Sequence, residues 1–239
     1  MSIAPPETRG AARAETRERR IAIFGGTFDP IHIGHLAVAR AAERRFHLDE
    51  IHFIPTGRPP HKQRTGMASY ADRYAMASIA CADHPRFVPS LAEAGAGQSG
   101  RDVFYSVDTV RHFKQKHHGP GTHLYFLLGA DSFLHIPTWK EYEALLGLCD
   151  FIVASRPGFD VAALRLVIPP ELFARKGATH APLDPRAIPL RRTVVFVLDT
   201  VSSHVSATEV RERLDRNDSI HGLVPPRVEE YINKKALYR

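Results

Sequence analysis

Short apolar runs and 3.6-residue apolar stripes take turns along this chain, and together they predict strands alternating with helices. Runs at Ile21 to Phe24, Ile51 to Ile54, Phe87-Val88, Leu124 to Leu128, Asp150 to Ala154 and Thr193 to Leu198 read as six strands. From about Ile33, residues Leu36, Ala37, Val38, Ala41 and Ala42 fall into helical spacing. Ser69 and Asp72 make a capping-box pair before a helix through Ala82, with Tyr70, Tyr74, Ala77 and Cys81 on its apolar face. Ser106 is placed to cap the next helix, and Thr138 with Glu141 forms a second capping box, which puts Trp139 in a first helical turn. Ser206 and Glu209 form a third, and a Pro-started helix with Val228, Tyr231 and Ile232 on one side closes the pattern. Residues 161–192, rich in Pro and Arg, hold one or two short helices and no assignable function. Residues 94–101 are Gly-rich and read as a mobile loop. The order predicts one α/β domain over 21–239, with a doubly wound, mostly parallel sheet.

The first strand ends at Gly25-Gly26, Asp29-Pro30 turns the chain, and a helix follows. A strand, a glycine turn and a helix N-terminus build an anion site, because unpaired N–H groups and the helix dipole both favour negative charge there. The loop lacks the lysine of a P-loop and the Gly-x-Gly-x-x-Gly of a dinucleotide fold. It carries His32-x-Gly34-His35 instead, two imidazoles able to donate to phosphate oxygens around a glycine that lets a ligand approach. Three other places carry candidate chemistry. Arg58, His61 and Lys62 lie on a proline-stiffened loop after the second strand, and Lys62 is the one selected. Asp131 follows the most apolar strand, suited to ribose hydroxyls or a metal-bound water, or simply to capping the helix after it. Ser206, Thr208 and Arg211 set two hydroxyls and a guanidinium around another helix start.

With 239 residues, a net charge of +6 and a pI near 9.5, the chain suits an anionic partner, nucleic acid or a phosphorylated small molecule. Residues 1–20 hold five Arg against three Glu and read as a disordered basic leader, without the apolar core of a secretory signal. No dense Lys/Arg run follows, so a small phosphorylated ligand is favoured over nucleic acid. No apolar run approaches the ~18–20 residues of a membrane span. Cys81 and Cys149, the only cysteines, each sit in an apolar run and read as buried reduced thiols of a cytoplasmic protein. His112, His117, His118 and His123 lack a clear zinc spacing and read as solvated residues near a helix C-terminus, so no metal site is assigned.

The string GGTFDPIHIGH resembles the signature of the nucleotidyltransferase superfamily, which transfers a nucleotidyl group and releases pyrophosphate. VSATEVR resembles that superfamily's second signature, and GADSFLHIPTWKEYE is similar to the segment that marks its nicotinate-nucleotide adenylyltransferase branch. The turn Ser155-Arg156-Pro157-Gly158 and the ending LVPPRVEEYINKKALYR are family-like too, so the resemblance runs from about Ile21 onward. It implies a Rossmann-like nucleotidyltransferase fold and adenylyl transfer from ATP to nicotinate mononucleotide, giving deamido-NAD. Carried over by position, it implies catalytic roles for His32, His35 and Arg211. Gly25, Gly26, Thr27, Phe28, Lys62, Gly129, Asp131, Ser206 and Thr208 would bind ATP and its phosphates. Ser106, Asp108, Trp139 and Arg156 would bind the acceptor, with Trp139 facing the pyridine ring. Where family members often carry Ser-Tyr-Thr, this chain has Phe104-Tyr105-Ser106. The implied Mg²⁺ arrives with ATP. A nicotinamide mononucleotide acceptor, or a silent nucleotide sensor, are the alternatives.

Overall fold

The computed structural model describes residues 18–57, 66–95, 103–175, 184–199 and 204–239. The apolar runs become β1 (Arg19–Gly26), β2 (Glu50–Pro55), β3 (Phe87–Pro89), β4 (Thr122–Gly129), β5 (Asp150–Ala154), β6 (Ile188–Pro189) and β7 (Val194–Leu198). They join in one sheet of order β3-β2-β1-β4-β5-β7-β6, parallel throughout except where β6 meets β7. The chain works outward from β1 to β3, returns to the middle, and works outward again from β4. That reversal lies between β1 and β4, where Ile21 stands opposite Leu124 and Phe24 opposite Leu127. At such a switch point the connections depart in opposite directions and leave a crevice at the carboxyl ends of the two strands.

Among the described residues eight helices cover the sheet: α1 (Ile33–Phe46), α2 (Tyr70–Cys81), α3 (Ser106–Lys116), α4 (Ala130–Leu134), α5 (Tyr142–Leu146), α6 (Ala162–Leu166), α7 (Ala207–Asp215) and α8 (Pro226–Lys234). The pleat sorts the strand side chains between two layers. Ala22, Phe24, Phe53, Leu127 and Ile152 pack with side chains of α1, α2, α7 and α8. Ile23, Ile54, Phe126, Phe151 and Val153 pack with those of α3 to α6. Strands covered on both faces have no polar side to show, which is why β1, β4 and β5 read as unbroken apolar runs.

In several places the structure departs from the pattern. β1 begins at Arg19, so Arg19 and Arg20 belong to the sheet, where pairing with Thr122 and His123 occupies their backbone. Residues 1–17 of the expected leader lie outside the described residues, as does most of the Gly-rich loop. The sheet has seven strands, because β6, two residues long, carries no readable period. Thr193 stays outside β7, its buried hydroxyl donating to the Leu146 carbonyl. Ser69 caps α2 by accepting from the Asp72 N–H at 3.1 Å. The buried face of α2 is Arg73, Met76, Ala77, Ala80 and Cys81, with Tyr70 and Tyr74 half-buried beside it. Tyr105, not Ser106, is the N-cap of α3. Thr138 and Glu141 form no capping box. Ile136–Thr138 is one 3₁₀ turn, Trp139 follows in extended conformation, and α5 starts at Tyr142. Both expected partners are occupied elsewhere: the Thr138 hydroxyl donates to His135 O at 2.7 Å, and the Glu141 carboxylate accepts from Arg111 at 2.6 Å.

His112, His118 and His123 are exposed, while His117 is half-buried against Phe113. Among the described residues no group of three or more His, Cys, Asp or Glu is arranged to hold a metal ion. No described helix is long and apolar enough to cross a membrane. Cys81 and Cys149 are free and buried.

Candidate active site

The loop after β1 is shaped by one aromatic side chain. Phe28 takes a left-handed backbone at φ 48° yet is 1 % exposed. A bulky residue there costs of order 1–3 kcal/mol, which the packing must offset. Its ring stands edge-on to Phe24 at 5.5 Å and to His35 at 5.0 Å. A Cβ on Gly26 would come within 2.9 Å of that ring, so the second glycine of the pair is a steric requirement.

The loop delivers the chain to α1 with His32 at the N-cap and His35 one turn in. The His32 N–H donates to His35 Nδ1 at 3.2 Å, which places the proton of a neutral His35 on Nε2. The two rings lie 3.7 Å apart, tilted by 33°. Burial lowers the pKa of His32 to about 4, and burial together with the neighbouring His32 holds His35 well below its ordinary value. Near neutral pH the pair therefore offers hydrogen bonds rather than charge. Nδ1 of His32 is buried without a hydrogen-bond partner among the described residues.

Positive charge comes from α7. Its N-cap, Ser206, accepts from the Glu209 N–H at 3.1 Å. One turn on, Arg211 donates from Nη2 to Thr208 Oγ1 at 2.9 Å and from Nη1 to the carbonyl of Asp29. The loop of β1 and the start of α7 are thus tied across 182 residues of sequence.

Between them lies a cleft of about 1140 Å³ at the carboxyl ends of β1, β4 and β5. Gly25, Gly26, Thr27, Phe28, His32, His35, Gly129, Asp131, Arg156, Thr208 and Arg211 all line it. Asp131 and Arg156 are exposed on its wall. Ser206 stands just outside, its hydroxyl committed to the cap. Lys62 lies outside the described residues.

The expected acceptor group is divided. Arg156 lines the cleft, whereas Ser106, Asp108 and Trp139 do not. Asp108 is paired at 3.4 Å with both Arg111 and Lys140. Trp139, half-buried, meets Phe126 edge-on at 6.2 Å, and the tip of Phe126 stands 3.6 Å from where a Gly25 Cβ would be. Trp139 is therefore one ring removed from the loop of β1.

Some residues of the site have contacts that no sequence motif marks. Arg73, 2 % exposed, donates to three backbone carbonyls, those of Thr27 (2.8 Å), Ala68 (3.2 Å) and Gly57 (3.3 Å), and so fastens three loops together. Glu93 is buried, accepts from Gly57 N–H and Thr109 Oγ1 at 3.0 Å each, and has its pKa raised by burial. Ser155 lines the cleft with its buried hydroxyl unpartnered among the described residues. Asp29, 4 % exposed, accepts at Oδ1 from the Ala68 N–H and the Tyr238 hydroxyl. Arg73 and Glu93 sit in no motif of the sequence, whereas Asp29 and Ser155 stand inside the first signature and the Ser155 to Gly158 turn without their contacts being marked there.

A family model described as cytidylyltransferase-like matches residues 23–213. A protein of Moorella thermoacetica named probable nicotinate-nucleotide adenylyltransferase is 39% identical over 225 residues, 94% of each chain. One of the same name from Geobacter sp. (strain M21) is 40% identical over 92% of this chain and 98% of that one. In three dimensions the chain is similar to Plasmodium falciparum nicotinic acid mononucleotide adenylyltransferase complexed with NaAD. The TM-score is 0.67 at 20% identity, covering 92% of this chain and 98% of that one, a likeness of fold. The loop, the second helix start and the cleft between them thus sit in a chain that belongs to the nicotinate-nucleotide adenylyltransferases of the cytidylyltransferase-like family.

Proposed function

We propose that the cleft transfers the adenylyl group of ATP to nicotinate mononucleotide, giving deamido-NAD and pyrophosphate in NAD biosynthesis. One observation carries the reading: two helix N-termini, one bearing His32 and His35 and the other Thr208 and Arg211, face one cleft at the switch point of the sheet. The names of the Moorella and Geobacter relatives support the choice of acceptor.

An oxygen of the acceptor's 5′-phosphate bonds to the α-phosphorus of ATP. The bond from that phosphorus to its bridging oxygen breaks, and the electron pair leaves with pyrophosphate. The nucleophile is already anionic, so no general base is needed, and catalysis reduces to positioning and charge stabilisation. His32 and His35, held neutral, donate hydrogen bonds to phosphate oxygens. Arg211 and Lys62 offset charge on the triphosphate, and Thr208 and the Ser206 end of α7 help hold it. Gly25 to Phe28 and Gly129 let the nucleotide lie against backbone. Arg156, on the cleft wall, takes the acceptor; the family resemblance also assigns Ser106, Asp108 and Trp139 to it, Trp139 against the pyridine ring, although these three do not line the cleft.

A divalent cation, Mg²⁺ in our reading, fits this cleft as a companion of ATP. Asp131 is an open carboxylate on the wall, whereas Asp29 is occupied by Ala68 and Tyr238. Asp131 would hold the ion directly or through water, and the ion would neutralise the triphosphate. Two buried free cysteines fit a cytoplasmic setting. The reading assigns no role to nucleic acid or membrane.

Pyrophosphate release with ATP and Mg²⁺ tests this, comparing nicotinate mononucleotide, nicotinamide mononucleotide and phosphopantetheine as acceptors. Preference for the nicotinate form is expected. Equal rates with the amide would retain the chemistry and remove the acid selectivity, and no release with any acceptor would sink the catalytic reading. In the same assay His35→Ala should lose at least ~100-fold in turnover with its melting curve retained.

A further inference from the structure

The turn after α8 reaches the loop of β1 through one hydroxyl. Its backbone is unusual, with Ala236 at φ 47° and Tyr238 at φ 64°, and it is closed by Ala236 N–H to Asn233 O and Leu237 N–H to Ile232 O. Leu237 and the ring of Tyr238 pack on the core layer of α1 and α8. Two left-handed residues in three, neither a glycine, cost energy that packing alone could avoid by unwinding. What the turn achieves is to carry the Tyr238 hydroxyl to Asp29 Oδ1, at 2.7 Å and across 209 residues of sequence.

Asp29 is a buried carboxylate beside an anion site, an arrangement unfavourable for a phosphate ligand unless the carboxylate is engaged. Oδ1 is held by Ala68 N–H and Tyr238, while Oδ2 stands 4.0 Å from Arg211 Nη1, the nitrogen that donates to the Asp29 carbonyl. We infer that Tyr238 is a positioning residue for nucleotide binding: by holding Oδ1 it keeps the Asp29 carboxylate from drawing the Arg211 guanidinium away from the cleft. Burial and the Asp29 carboxylate raise the Tyr238 phenol further above its ordinary range, so it remains a donor at any working pH. Tyr231 makes a parallel tie from α8, donating to Asp72 Oδ1 at 2.9 Å, but it reaches the start of α2 rather than the loop.

This inference rests on Arg211 acting on the nucleotide. Tyr238→Phe removes the hydroxyl alone. A hydrogen bond to a charged group makes a roughly tenfold effect the expectation, a rise in KM for ATP with KM for nicotinate mononucleotide unchanged. Added to Arg211→Ala, Tyr238→Phe should change kcat/KM for ATP by less than about twofold, because the guanidinium it positions is gone. Equal rises in both KM values, or the same tenfold loss in the Arg211→Ala background, would make Tyr238 merely structural and overturn the inference alone. An Arg211→Ala enzyme with ordinary KM for ATP would overturn the reading of Arg211 and this inference with it. Should Tyr238→Phe not fold, the unmodified protein carries the test. Coupling is reciprocal, so a non-hydrolysable ATP analogue must slow hydrogen exchange at Ala236 to Tyr238. Unchanged exchange there at saturating analogue overturns the inference.

Discussion

His32 and His35 lie in a tilted stack at the head of α1, and their usefulness depends on staying uncharged. Two imidazolium ions at 3.7 Å would repel, and burial already disfavours the first. For stability the sign follows from which state takes the proton more readily. The unfolded chain protonates His32 near its ordinary value of 6.5 and the folded protein only near 4. The contribution of a neutral, buried His32 is therefore complete above pH 6.5 and lost as pH falls from there towards 4, a loss of roughly 3 kcal/mol for a shift of this size. Thermal melting at pH 7 and pH 4.5 should show a smaller drop for His32→Gln than for the native chain. An equal drop would mean that His32 titrates normally when folded. At this scale legibility follows sequence distance. The string from Gly25 to His35 is contiguous, and its glycines, turn and paired imidazoles make a local pattern of residue type and spacing, although Arg73, Thr56 and Leu223 also bond to its backbone. Asp29 stands in that same string, but its partners are Ala68, Arg211 and Tyr238, and no local pattern announces them.

Among the elements, capping boxes show what decides whether local chemistry prevails. The hydroxyls of Ser69 and Ser206 accept from the N–H three residues on and cap α2 and α7 as their spacing predicts, even though Asp72 and Glu209 are also engaged by Tyr231 and Arg213. Thr138 and Glu141 have the same spacing, yet a backbone carbonyl and Arg111 claim them, and the turn with Trp139 stays extended. α7 is the case with consequences for the site, since its N-terminus is both a capped helix start and one side of the cleft. Ser206→Ala should cost about 1 kcal/mol of stability. It should also raise KM for ATP while leaving KM for the acceptor alone, because a frayed first turn no longer fixes Thr208. Stability loss with both constants unchanged would confine Ser206 to the cap.

For the molecule as a whole, the doubly wound order was legible because six of its seven strands are buried enough to be written as apolar runs or short apolar pairs. The exception, β6, is an antiparallel edge segment fixed by its pairing with β7 rather than by its own composition. The placement of the residues expected to meet the acceptor was less legible. Trp139 sits behind Phe126, a contact between a loop and a β4 side chain of the same layer that spacing cannot encode.

The two thiols divide along the same line as the layers. Cys81 belongs to the layer of α1, α2, α7 and α8, and Cys149 to that of α3 to α6. Burial raises Cys81 to about 12 and Cys149 also well above a free thiol, so neither is a thiolate in the closed protein. Each can react only when its own half of the sandwich opens, which makes the pair two built-in clocks of breathing, one on each side of the sheet. α1 and α7 frame the cleft from the Cys81 side, so on the proposed reading ATP should slow alkylation of Cys81 more than that of Cys149, read one at a time in Cys149→Ala and Cys81→Ala chains. Identical slowing at both would instead reveal a sandwich that opens only as one unit.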